Sequence, residues 1–341
     1  MTETIRVGLV GAGGIARSRH VPGFRAIEGV EVSGVVASSP ASTRRAADEL
    51  AIPNAYPAWE ALVADPAIDA VVVATWPNLH APVTIAALNA GRHVLCEGRM
   101  AMDALEARAM LAASRARPDR VAMLVPGPFT FFADDAVRRL LRDGAIGTPR
   151  TLRATWSGGV AATGHDQWRR ERRFSGNNVM TLGILYESVA RWLGHAEEVG
   201  AVLENFAPSQ PGPDGSPAPA DIADHAVVVA RFPGSVVGTF EVSAYARATP
   251  PNGISIHGTE GGLVVDLTTQ QITLARPAAA PDEPVAIAPG ERGAWRVEEA
   301  FIAAIRGRET VTRNDFATGV AYMAFTDAVH ASAASGSLVR P

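Results

Sequence analysis

The sequence of 341 residues contains one cysteine, Cys96. A single thiol forms no disulfide within the chain, and a cysteine-built zinc site is not expected. Long apolar runs are also missing. None reaches the ~18–20 residues that a membrane span needs. The opening stretch MTETIRVGLVG has no basic segment before its apolar run, so it does not read as a signal peptide. A soluble, cytoplasmic protein is expected. Excess charge is absent too: 31 basic and 35 acidic residues leave a net charge of −4. No nucleic-acid footprint is expected from that balance. The basic clusters are local, at Arg44-Arg45, Arg138-Arg139 and Arg169 to Arg173. The histidines show no metal-ligand spacing, so no metal is expected.

What is present is an alternation of elements. IRVGLVG (5–11), VEVSGVVA (30–37), DAVVVAT (69–75), HVLC (93–96) and VAMLV (121–125) read as strands. Helical patterns cover about 14–27, 40–50, 80–90 and 104–117, with Asp103 a suitable N-cap for the last. DAVVVAT is nearly unbroken in its apolarity, as a strand buried on both faces should be. This rhythm implies βαβ units and a parallel, doubly wound sheet. It changes at PGPF (126–129). A helix over 134–143 and a long one over 178–193 are expected. Strand-like runs lie at 151–157, 225–232, 236–246, 253–258, 262–267 and 271–276, several joined by short turns. They predict a mainly antiparallel sheet. The Pro- and Gly-rich stretch 208–221 reads as a loop. Helices near 295–306 and 314–334 close the chain. Two domains follow, 1–125 (α/β) and 126–341 (α+β), with the C-terminal helices available to pack back on the first.

Gly11-Ala12-Gly13-Gly14-Ile15-Ala16 matches G-x-G-x-x-G/A directly after a strand and at the opening of a helix, the context of a dinucleotide loop. Gly11 permits the tight turn, Gly13 lets backbone approach a pyrophosphate, and Ala16 allows close helix–strand packing. Gly14 and Ile15 complete the loop. The alternative is a Gly-rich turn kept for packing. The second strand ends Ala37-Ser38-Ser39, with no acid for a ribose hydroxyl pair. Ser38 and Ser39, with Thr43 and Arg44 behind them, favour NADP slightly over NAD. Thr75, Trp76, Pro77 and Asn78, ahead of His80, lie at the carboxyl edge of the sheet. His80 reads either as a cofactor contact or as a helix-start hydrogen bond.

The stretches VGLVGAGGIARSRHVPGF, DAVVVATWPNLHAPVTIAALNAGRHVLCE and LLRDGAIGTPRTLRATWSG together resemble the Gfo/Idh/MocA oxidoreductases. The resemblance spans essentially the whole chain. It implies a Rossmann domain followed by an open-faced sheet domain. It further implies hydride transfer between NAD(P) and a hydroxyl of a sugar, cyclitol or related small molecule. Assembly into a homodimer or homotetramer through the outer face of that sheet is also implied. Relatives read Glu-Lys-Pro after the fourth strand, where this chain has Glu97-Gly98-Arg99. A second family pattern, Asp-x-Gly-x-His-x-x-Asp, aligns with Thr181 to Ser188 and keeps only Gly183. The histidine position is Leu185.

The usual proton-transfer pair is therefore absent by residue identity. Arginine stays protonated in proteins, so Arg99 is a poor base. It can clamp an anion or a carbonyl oxygen, or point to solvent. Glu97 remains as a strand-end anchor on the cofactor side. His165 and Tyr186 are the other catalytic candidates, although Tyr186 lies one helical step, about 100°, from the lost histidine. Trp168, Arg169, Asn177 and Asn178 are candidates for the substrate. Three readings stand: an oxidoreductase with a rebuilt acid–base set, a non-redox lyase or hydrolase using bound NAD(P), and a catalytically silent nucleotide binder.

Overall fold

In the computed structural model, residues 4–158, 168–212, 215–246, 252–276 and 281–341 are described. Contacts divide the chain into two compact units, Met1–Pro126 with Arg296–Val320, and Gly127–Trp295 with Ala321–Pro341.

The first unit carries β1 (Ile5–Val10), a π-helical turn (Ala16–His20) running into α1 (Val21–Arg25), β2 (Val30–Val36), α2 (Pro40–Glu49), β3 (Asn54–Ala55), α3 (Trp59–Ala64), β4 (Ala70–Val73), α4 (His80–Asn89), β5 (His93–Cys96), α5 (Ala104–Ala116) and β6 (Ala122–Leu124). The six strands pair in the order β3-β2-β1-β4-β5-β6, and all the pairs are parallel. The order reverses between β1 and β4, and ligands of such sheets bind in the crevice beyond the carboxyl ends of the strands at that point. Every residue of β4 is buried, as its unbroken Ala-Val-Val-Val requires. Asp103 caps α5 by accepting from the Glu106 N–H at 2.8 Å. β3 and α3 are additions to the expected series. Both are short, two and six residues, and neither carries a long apolar period.

The second unit carries α6 (Asp134–Arg142), β7 (Pro149–Ser157), α7 (Arg172–Ser175), α8 (Leu182–Leu193), β8 (Glu198–Glu204), a small hairpin of β9 (Ser209–Pro211) and β10 (Pro217–Pro219), then β11 (His225–Phe232), β12 (Val236–Ser243), β13 (Gly253–Gly258), β14 (Gly262–Asp266), β15 (Gln271–Ala275) and β16 (Glu283–Pro284). Eight strands form one sheet, β16-β15-β14-β13-β7-β12-β11-β8. It is antiparallel except for one parallel pair, β12 with β7. The stretch 208–221, expected as plain loop, contains the β9–β10 pair.

The C-terminal helices are α9 (Val297–Ile305) and α10 (Phe316–Ser335), and the division between units falls inside α10, after Val320. On the sheet of the second unit, Tyr186 of α8 stacks on Phe325 at 3.6 Å between ring centroids and leans on Phe232 and Phe240. All four rings are fully buried. The opposite sheet face carries Val202, Val227, Val229 and Val237, each 39–59% exposed. Among the described residues no helix is long and apolar enough to cross a membrane.

Candidate functional site

The glycine loop leaves β1 through Gly11, whose φ is +102° and whose N–H donates to the Val36 carbonyl at 2.8 Å. A Cβ on Gly11 would fall 2.2 Å from the Ala74 carbonyl oxygen. Only glycine fits there. Gly13 and Gly14 are exposed, and a Cβ on either would meet nothing within 4 Å. The space above the loop is open to a ligand, and the helix that starts here points free N–H groups at it. Ile15 is half-buried and Ala16 is fully buried against the sheet. Across the crevice, Pro77 is buried, Trp76 is 39% exposed, and the Thr75 hydroxyl donates to the Trp76 carbonyl. The buried Oδ1 of Asn78 accepts no hydrogen bond among the described residues. An open backbone cradle and an unsatisfied acceptor beside it fit a dinucleotide. Among the described residues no three His, Cys, Asp or Glu side chains are grouped to hold a metal ion.

At the end of β2 the hydroxyls are partly spent. Ser39 is the N-cap of α2, and its side chain and that of Ser42 form a reciprocal capping box. Thr43 turns inward, accepting from the Ala37 N–H and donating to the Ser39 carbonyl. Ser39 is thus a helix cap rather than a ribose contact, because its hydroxyl is already committed. Ser38 and Arg44 remain exposed.

His80 is also corrected. It is 1% exposed, with Nδ1 2.9 Å from the Arg99 carbonyl and Nε2 3.2 Å from that of Thr75. Burial lowers its pKa, so the ring is neutral and carries one N–H. The shorter contact assigns that proton to Nδ1. Through that bond His80 braces the loops after β4 and β5, and its 1% exposure keeps the ring from the crevice surface.

Glu97, Gly98 and Arg99 follow β5, and the Gly98–Arg99 peptide is cis. A Cβ on Gly98 would meet one atom, the Val125 carbonyl oxygen at 3.1 Å. Glu97 has a partner that sequence reading missed. Its Oε1 lies 2.9 Å from His20 Nε2, and His20 Nδ1 lies 2.6 Å from Glu298 Oε1. The signal for His20 was its spacing: four residues after Ala16, it shares the inward helix face. Glu298 has no local signal, being 278 residues from its partner.

In the second unit, Trp168 and Arg169 form a cation–π pair, with the Arg169 guanidinium 4.4 Å above the indole ring. Arg169 is exposed and Trp168 half-buried. Arg170 turns inward to Asp224. Asn177 is committed to its own unit: its amide donates to Asp327 at 2.9 Å, accepts from Arg172 at 2.8 Å, and its carbonyl accepts from His330. Asn178 is 7% exposed and donates to the Ser175 carbonyl. Both asparagines hold the turn before α8. Neither amide is presented as a substrate contact. A cleft of about 530 Å³ elsewhere in this unit, lined by Arg138, Arg142, Thr148 and Trp192 among others, contains none of the sequence-read site residues.

Tyr186 is excluded from chemistry by its surroundings. It is 0% exposed, its hydroxyl accepts the Ala196 N–H at 3.0 Å and meets His195 Nδ1 at 3.3 Å, and burial drives its pKa far up. Glu187 pairs with Arg191 and accepts from the Gly127 N–H instead of serving the phenol. Leu185 is likewise fully buried. His165 lies outside the described residues. Every one of the 31 basic residues is arginine, so the chain contains no lysine.

Residues 5–124 match the family described as an oxidoreductase family with an NAD-binding Rossmann fold, and residues 135–264 match its GFO/IDH/MocA C-terminal domain. 1,5-Anhydro-D-fructose reductase of Ensifer adhaerens is 32% identical over 265 residues, spanning 76% of this chain and 75% of its own. Levoglucosan dehydrogenase of Pseudarthrobacter phenanthrenivorans is 28% identical over 292 residues, 77% of this chain and 73% of its own. The solved structure of a levoglucosan dehydrogenase with NADH and levoglucosan shares the fold, with a TM-score of 0.85 over 99% of both chains at 24% identity. With both domains matched in sequence and the glycine loop in its expected place, the chain belongs to the GFO/IDH/MocA family of oxidoreductases.

Proposed function

We propose that this chain moves hydride between NAD(P) and a hydroxyl or carbonyl carbon of a small polar substrate, a sugar, cyclitol or related compound. Its acid–base set lies outside the family pattern. The observation that carries this reading is the open loop at Gly11, Gly13 and Gly14, in a chain whose positions 98 and 185 hold no proton-carrying side chain. The names of the two relatives, a sugar reductase and a sugar dehydrogenase, support the substrate class. The dinucleotide supplies the hydride-accepting ring. The loop N–H groups and the helix start hold its phosphates, and Asn78 offers an acceptor to it. Exposed Ser38 and Arg44, with no carboxylate between them, support binding of NADPH at least as tight as that of NADH.

Arg99 is assigned the task of orienting a carbonyl or anionic group of the substrate. Within the second unit, Trp168 and Arg169 offer an apolar face and a cation suited to a polar or anionic group. His165 stays a candidate for the proton. Arg99→Ala should lower kcat/KM by about 10²–10³-fold, the scale of losing one donor to a developing oxyanion, while NADH affinity stays within about twofold. Spectrophotometric turnover of a panel of polyols, keto-sugars and hydroxy acids checks this. Unchanged turnover in the variant removes Arg99 from the site. The absence of any lysine favours one second reading, a catalytically silent nucleotide binder, and turnover of any panel member removes it.

Self-association belongs to the same proposal. Val202 and Val227 face each other across β8 and β11, with Val229 and Val237 beside them, and this apolar outer face supports a homodimer or homotetramer formed through the sheet. Val229→Glu should convert the assembly to monomers in light scattering with at most about 0.5 kcal/mol lost from the fold. A wild-type monomer contradicts the assembly.

A further inference from the structure

We propose that His20 is a positioning residue: held as an imidazolium between Glu298 and Glu97, it fixes the Glu97 carboxylate at the mouth of the nucleotide crevice, and the site keeps that arrangement only while His20 carries its proton. This rests on the reading of the first unit as a dinucleotide site.

The geometry fits a charged ring. Both ring nitrogens of His20 lie within hydrogen-bond distance of carboxylate oxygens, at 2.6 Å and 2.9 Å. If both carboxylates are ionised they can only accept, both nitrogens must donate, and only the imidazolium does that. The side chain of His20 is 0% exposed and that of Glu298 is 1% exposed. Burial by itself would push the His20 pKa down. The hydrogen bonds and charges of Glu298, on α9, and Glu97, after β5, outweigh it and raise the pKa to about 9.

The fold is shaped around this trio. A Cβ on Gly23, in α1, would lie 2.8–2.9 Å from the Glu298 side chain, so glycine makes room for the carboxylate. Phe24 and Phe301 meet edge-to-face, at 6.4 Å between centroids, and the Phe24 ring lies 6.4 Å from that of His20. In such apolar surroundings the charge-assisted bonds are strong, and an unpaired member would be costly. Apolar side chains would have stabilised the packing at lower cost.

Glu97 is the member with access to solvent, its side chain 16% exposed. It lies beyond the carboxyl end of β5, on the edge where ligands of open parallel sheets bind. His20 follows the glycine loop on the turn that leads into α1. One imidazole thus ties the phosphate side of the crevice to the β5 side. If His20 loses its proton, one ring nitrogen becomes an acceptor facing a carboxylate. That bond is lost, the two carboxylates repel with less screening, and Glu97 is free to turn.

Two readouts test this. In protein labelled with ¹⁵N-histidine, the two ring nitrogens of His20 should both be protonated at pH 7.5 and titrate together near pH 9. NADH affinity, followed by nicotinamide fluorescence, should be flat from pH 6.5 to 8 and fall about tenfold by pH 10. In Glu298→Gln the fall should move down by at least about one pH unit, with wild-type affinity kept at pH 6.5. A neutral His20 at pH 7.5, or a wild-type profile without a break above pH 8, overturns the proposal, as does the same profile in both proteins. If Glu298→Gln does not fold, the two wild-type measurements decide alone. Failure of NADH to bind at pH 6.5 would instead sink the dinucleotide reading, with the NMR titration still reporting on the trio.

Discussion

Gly11→Ala should destroy binding of both NADH and NADPH and cost the fold roughly 2–5 kcal/mol. Two effects add. The backbone at position 11 has φ +102°, a conformation that side chains rarely adopt, and the new methyl carbon would sit 2.2 Å from the Ala74 carbonyl oxygen. That oxygen belongs to the main chain just after β4, so it cannot swing away as a side-chain tip would. Either β1 and β4 separate at the crevice or the loop refolds. Gly13→Ala is the companion that separates binding from folding. A Cβ there meets no protein atom within 4 Å, so the melting temperature should hardly move. The methyl would instead occupy the space where phosphate approaches the backbone, and affinity should fall at least about tenfold. Thermal melts and fluorescence titrations of the two variants check this. A Gly13→Ala protein that binds NADH normally would mean that the loop does not hold the nucleotide.

Asp224→Ala should be the most damaging single change in the second unit, at about 3–5 kcal/mol. The Asp224 side chain is 3% exposed, and it accepts from the N–H groups of Phe206 and Ala207, from the Tyr245 hydroxyl and from Arg170. The Arg170 side chain is itself 11% exposed, and its carbonyl receives the N–H groups of Asp221 and Ile222. Removing the carboxylate leaves a buried guanidinium without its counter-ion, though still bonded to the Ala207 carbonyl, and strips two main-chain N–H groups of their acceptor. Arg170 directly follows the Trp168–Arg169 pair, so the damage should reach the substrate. KM should rise more than kcat falls in whatever reaction the panel reveals. Asp224→Asn removes the charge and keeps only one of the two backbone bonds, because Phe206 and Ala207 donate to different carboxylate oxygens and the amide has a single acceptor oxygen, so it should recover less than half of the lost stability. Urea denaturation of the three proteins gives the ladder, and an Asp224→Ala midpoint within experimental error of wild type would refute the role.

How much of this was legible in the sequence depends on whether the cause was local. The buried strand Ala70–Val73, the cap at Asp103 and the glycine loop all carry their reasons within a few residues, and all stand where sequence reading put them. Ser39 was misread although its reason is local too. Serine followed by Pro40 is an N-cap signature, and the hydroxyl serves α2. The long helix begins at Leu182 rather than 178, because Met180 takes φ +42° and the two asparagine side chains are drawn into the preceding turn. Tyr186 was a candidate by proximity to Leu185. Only the rings of Phe232, Phe240 and Phe325, brought from distant segments, show that it faces the core. The parallel pairing of β12 with β7 and the link from His20 to Glu298 are likewise non-local, and no short window of sequence contains them.

The central claim is that this chain holds a working NAD(P) site while Gly98 and Leu185 stand at two positions that hold no proton-carrying side chain. Titration of the purified protein with NADH and with NADPH at neutral pH, read by nicotinamide fluorescence together with assay of any nucleotide released on denaturation, tests it most directly. The account predicts micromolar binding, with NADPH no weaker than NADH. Failure of both to bind, with no nucleotide already aboard, would contradict it and leave the glycine loop as a packing turn.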